Sequence, residues 1–104
     1  MKNLNTKQAK KELGNIIFYI GINKEYAAHF NSSADRTSVK YLHGKVCFYE
    51  VQLLTIELYE KYGIAYHTED AMIKKVANKE EIKRKHKEAN TAFKLAEQKE
   101  LAAA

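Results

Sequence analysis

The sequence predicts a mainly α-helical fold, a compact bundle over residues 1–66 with a helical extension over residues 67–104, and three observations lead there. From Glu50 onward Val51, Leu54 and Leu58 make one apolar stripe, with Leu53 and Ile56 beside it and Gly63 as a stop. Residues of capping type, Thr6, Asn23, Asp35, Thr68 and Asn78, stand ahead of the helix-like segments. With no proline among the 104 residues, nothing in the chain forces a kink. An α+β alternative stays open, with a small sheet built from residues 15–21 and a hairpin at 38–51.

Taken in order, Thr6 can cap a first helix whose apolar positions are Ala9, Leu13, Ile16, Ile17 and Ile20, with Gly21 as its natural end. The run NIIFYIGI also has the length and continuity of a buried strand. Asn23 then reads as the cap of a short helix, KEYAAHF, with Ala27, Ala28 and Phe30 inward, and Asn31-Ser32-Ser33 as turn material. Asp35 precedes RTSVKYLH, where Val39 and Leu42 share a helical face. The same residues allow a hairpin, because Val39, Tyr41, Val46 and Phe48 alternate around a two-residue turn at His43-Gly44. After Gly63, Thr68 caps another helix, with Glu69 and Asp70 suited to its positive end. The chain bends at Asn78-Lys79-Glu80-Glu81 before a last helix. There Ile82, His86, Ala89, Phe93 and Ala96 form a partly apolar, heptad-like stripe that suits docking on the body or on a second copy.

Composition narrows the class. If the last third protrudes, only about 65 residues remain for a compact core, a size at which self-association often helps. No apolar run reaches membrane-spanning length and the first residues lack a signal-peptide core, so a cytoplasmic protein without membrane contact is expected. One cysteine, Cys47, excludes an internal disulfide and a multi-cysteine zinc site. The net charge of +5 is unevenly placed: residues 1–45 carry +5, residues 46–78 carry −2 and residues 79–104 carry +2. Such a patch favours a polyanion or an acidic protein surface.

The order of features around that patch points further. Gly21-Ile22-Asn23-Lys24-Glu25-Tyr26-Ala27-Ala28 resembles the entry into the helix-turn-helix of lambda-repressor/Cro-like regulators, with Asn23 where Ser or Thr usually caps and Lys24 where Gln is usual. Ser38 to Lys45 is similar to the end of that family's recognition helix, and Leu53-Leu54-x-Ile56 to its fourth helix. The resemblance spans about residues 13–64 and implies a helix-turn-helix-type bundle that binds duplex DNA as a transcriptional regulator. It departs from the pattern at Asn31–Ala34, which lacks the usual glycine, and at Glu57, which replaces a small core residue. On this reading Arg36, Thr37 and Ser38 contact bases, Lys24, Lys40 and Lys45 hold phosphates, and the C-terminal helix pairs two copies into a homodimer.

Other chemistry is thinly represented. His43 and Cys47 have helical i,i+4 spacing, but two ligands do not make a metal site, and no third group is in place to orient a nucleophile. His67, Glu69 and Asp70 adjoin, yet the two acids have a sufficient role at a helix N-terminus. The seven tyrosines are spread over several elements and suit core edges better than a base-stacking platform. The four glycines are isolated and form no phosphate loop. A non-enzyme without cofactor or metal is therefore expected. The alternative to a regulator is a phage- or plasmid-type inhibitor or accessory protein that binds an acidic protein surface, or nucleic acid without sequence preference.

Overall fold

A computed structural model describes residues 7–32 and 35–103, and all regular structure among them is helical: α1 Lys7–Ser32, α2 Val39–Tyr62, α3 Glu69–Ala77 and α4 Lys79–Ala103. The expected all-α class holds, and neither the sheet at 15–21 nor the hairpin at 38–51 forms. The Thr6 cap and the Ser33-Ala34 end of the expected turn lie outside the described residues.

Gly21 does not end the first helix. A glycine inside a helix costs only about 1 kcal/mol relative to alanine, and one uninterrupted helix keeps Ile16, Ile20 and Ala27 on a single buried stripe. Asn23, expected as a cap, instead donates its side-chain amide to the Tyr19 carbonyl at 2.8 Å within that helix. The separate short helix at residues 24–30 is thus the second half of α1, with Ala27 buried and Ala28 exposed.

The second expected break fails for a different reason. Gly44 sits in the middle of α2, where an added Cβ would lie 2.6 Å from the Phe30 backbone nitrogen and 3.0 Å from the Tyr26 carbonyl oxygen. Its place is a close crossing of two backbones, and it turns nothing. The strand-like alternation of Val39, Tyr41, Val46 and Phe48 also has a cause in the packing. α2 is the middle helix, with α1 on one side and α4 on another, so apolar residues surround most of its circumference and its helical period is blurred.

Ile16 and Ile20 of α1 close with Val51, Leu58 and Tyr62 of α2 into the core, with Leu13 and Leu54 packed against it. The end of α2 is fastened to α1 by Lys61, whose Nζ lies 2.5 Å from Glu12 Oε1 and 2.9 Å from Glu57 Oε1. Those two carboxylates hold the Lys61 ammonium well above the usual lysine range. α1 and α4 each run antiparallel to α2 and do not pack on one another, which gives a flattened body of 51 × 29 × 21 Å.

Three boundaries follow the local chemistry. Gly63 ends α2 at φ 68° with its N–H donating to the Tyr59 carbonyl at 2.8 Å. Thr68 caps α3, its Oγ1 accepting from the Ala71 N–H at 3.2 Å. Asn78 marks the bend between α3 and α4, its N–H donating to the carbonyls of Lys74 and Lys75.

The expected stripe of α4 lies on α2 of its own chain. Ala89 is 2% exposed, the Phe93 ring stands 5.2 Å from the His43 ring, and His86 Nε2 meets Glu50 Oε2 at 2.8 Å. Lys79 adds an ion pair to Glu60 at 2.8 Å.

Candidate nucleic-acid interface

Residues 35–40 form the entrance to α2, and their bonds decide which side chains remain free. The Asp35 carboxylate accepts from the Thr37 N–H at 2.9 Å and from the Thr37 hydroxyl at 2.7 Å. These bonds hold the Asp35 carboxyl below the usual carboxylate range. The Ser38 hydroxyl donates to the Asp35 carbonyl at 2.8 Å and accepts from the Tyr41 N–H at 3.1 Å. Ser38, and not Asp35, is therefore the cap, and the helix begins at Val39, three residues beyond Arg36. Thr37 and Ser38 spend their hydroxyls on that start. Arg36 is exposed and enters none of these bonds, and Lys40 is exposed in the first turn.

The predicted contact residues occupy three places. Arg36, Thr37, Ser38 and Lys40 are together at the start of α2. Lys45, one turn further on, lines a 340 Å³ cleft with Tyr49, Arg84 and Lys85. Lys24 lies apart, donating to the Tyr66 hydroxyl at 2.9 Å and standing 5.4 Å from that ring's centroid. It faces the loop between α2 and α3, where its charge and that of Lys75, behind a larger effect of burial, pull His67 below its ordinary value of 6.5.

Beside Arg36 is an open groove of 620 Å³ between the start of α2 and the end of α4, floored by Val39, Leu42, Leu95 and Ala96, with Lys99 on its wall. Sequence reasoning missed Lys99, Arg84 and Lys85 as neighbours of the predicted residues. No local signal marks them, because only the antiparallel packing of α4 on α2 brings residues 84–99 beside residues 36–45.

The His43–Cys47 pair is formed, with Sγ 3.7 Å from Nε2. Burial first, and then Glu50, push the Cys47 thiol above its ordinary 9.0, which keeps it protonated at neutral pH. His43 is held between the Tyr26 and Phe93 rings, at 4.9 and 5.2 Å. Glu69 accepts from the Tyr59 hydroxyl at 3.1 Å, so it is engaged in joining α3 to α2. Among the described residues no three of His, Cys, Asp and Glu converge on a position for a metal ion, and no helix is long and apolar enough to cross a membrane. Comparison with protein-family models, curated proteins and solved structures finds no match for this chain.

Proposed function

We propose that the protein is a small non-enzymatic DNA-binding protein that holds the duplex chiefly by its phosphates, with Arg36 and Lys40 at the start of α2 as its first contacts. The observation that carries this reading is how the charges are used. Glu12 and Glu57 are taken by Lys61, Glu60 by Lys79, and Glu81 and Glu88 by Arg84, while Glu50 is hydrogen-bonded to His86. Arg36, Lys40 and Lys45 form no ion pair among the described residues, so a basic surface is left facing outward. Of the three side chains expected to read bases, only Arg36 keeps a head group free for a guanine edge. A regulator built on this contact reads sequence through Arg36 and gains position from the lysines.

Binding to a pool of random duplexes across a salt series tests it. Affinity is expected to fall linearly with salt on logarithmic axes, and Lys40→Ala to reduce that slope by about 1. If one sequence class is enriched, Arg36→Ala should abolish the preference at a cost of about 1–3 kcal/mol. Absence of binding at low salt sinks the proposal. The groove beside Arg36 favours a second reading, because its apolar floor, with Arg36 and Lys99 against the single acid Glu100, suits an amphipathic segment of a protein partner that carries more acids than bases. Salt-sensitive capture of an acidic helical peptide, with no DNA binding, selects that reading.

A further inference from the structure

The outward face of α1 carries large apolar side chains that nothing among the described residues covers. Ile17, Phe18, Tyr19 and Ile22 are each between 36% and 61% exposed, around the side of the helix away from buried Ile16, Ile20 and Ala27, whereas Tyr26 turns its ring to His43 of α2. Gly14 and Gly21 lie on the same outward face, and a Cβ added at either would meet nothing within 4 Å. Among the described residues, then, nothing requires either glycine, although each costs the helix about 1 kcal/mol relative to alanine.

We propose that this face is a self-association surface on which the α1 helices of two copies pack antiparallel, with Phe18 near the two-fold axis. Lys11, Gly14, Phe18, Gly21, Glu25 and Ala28 are all exposed and follow the alternating three- and four-residue spacing of a helix–helix seam. The glycines let the second backbone approach closely enough for the Phe18 rings to be covered.

Charge selects the occupant and its direction. Lys11 lies seven residues before Phe18 and Glu25 seven after it, so an antiparallel pair sets each Lys11 against the other copy's Glu25. A parallel pair would oppose like charges. Lys24 does not compete, because it is turned to Tyr66. The four side chains present roughly 400 Å² of mostly apolar surface, with Ile17 and Tyr19 on the two flanks of Phe18. Two copies would cover at most about 800 Å² in all, below the size of a stable specific interface, which predicts a weak, concentration-dependent dimer. The stripe of α4, spent on α2, is not needed for it. This inference is independent of the nucleic-acid reading.

Sedimentation equilibrium of the full chain over a concentration series is the test. The wild type is expected to dimerise, and Phe18→Glu to raise the dissociation constant by about thirtyfold or more. Gly21→Leu should also abolish the dimer while the monomer keeps its helical circular dichroism and melts no lower, and by up to a few degrees higher, since the new side chain enters open space and a helix former replaces glycine. Lys11→Glu should weaken the dimer, and adding Glu25→Lys should restore it. A monomer persisting to about 1 mM overturns the proposal, whether or not the chain then partitions onto anionic lipid vesicles through Phe18. So does a dimer that tolerates Gly21→Leu, or a double charge swap that restores nothing.

Discussion

The two interfaces of α2 are built in different proportions, for Lys61 also ties Glu12 of α1 to it and the Phe93 ring of α4 also packs on its His43. Against α1 it packs Val51, Leu58 and Tyr62 on Ile16 and Ile20, and at Gly44 the backbones come within side-chain distance. Against α4 it presents Glu50 and Glu60 to His86 and Lys79, with the small Ala89 as the buried residue. The first interface draws on burial and fit, which tolerate little change. The second draws on partly solvated polar pairs, which contribute little each. A helix can therefore be equally continuous on both sides and unequally held.

The largest break in this comparison is expected at Leu58. Leu58→Ala empties a site that is 2% exposed and should cost about 2–5 kcal/mol, read from the midpoint of chemical denaturation. Gly44→Ala should cost about 1–3 kcal/mol, because the new methyl meets backbone atoms of Phe30 and Tyr26 that cannot turn aside. On the other side, His86→Ala removes a pair whose side chains are partly open to solvent and should lower stability by about 1 kcal/mol or less. Its clearer effect should be faster amide exchange in residues 82–96 than in residues 47–62. Equal acceleration in both segments would show that the two interfaces open together.

The mildest expected effect is on pH dependence. The Cys47 thiol is raised from 9.0 by burial and then by Glu50, so the folded state holds its proton where the unfolded chain releases it. Its contribution is complete below pH 9.0 and is lost as pH rises through the folded value. Tyr59 and Tyr62, raised from 10.0, add to the same alkaline decline. Melting temperature should accordingly fall from about pH 9 upward, and Cys47→Ser should remove the earliest part of that fall. Alkylation of the native thiol at neutral pH should be slow and should become fast in denaturant.

How far the sequence could be read depends on whether a feature was decided locally. Gly63, Thr68 and Asn78 were legible because a left-handed φ, a hydroxyl cap and a helix-breaking bend are matters of a few adjacent residues. Gly21 misled, since its cost to a helix is small against the continuity of the stripe Ile16, Ile20 and Ala27. Residues 39–48 were ambiguous because flanking by two helices hides the period that would have distinguished coil from strand. Within the candidate interface, the cluster Arg36–Lys40 was legible as a run of neighbours. That Thr37 and Ser38 would be consumed by the helix start required the Asp35 geometry. That Lys99 and Arg84 would join them required the topology.

The central position of α2 has a kinetic consequence. Each of its two large contacts is with a helix that follows or precedes it along the chain, and α1 and α4 make none with each other. The α1–α2 turn is only a few residues long, although the antiparallel pairs it and α3 close reach as far as Glu12 to Lys61 and His43 to Phe93, and the chain folds with the speed usual for helical bundles. The hairpin of α1 and α2 holds the apolar core and the Gly44 crossing, so it is the natural nucleus. Substitutions at Leu58 should slow folding, whereas substitutions at His86 should speed unfolding and leave the folding rate unchanged.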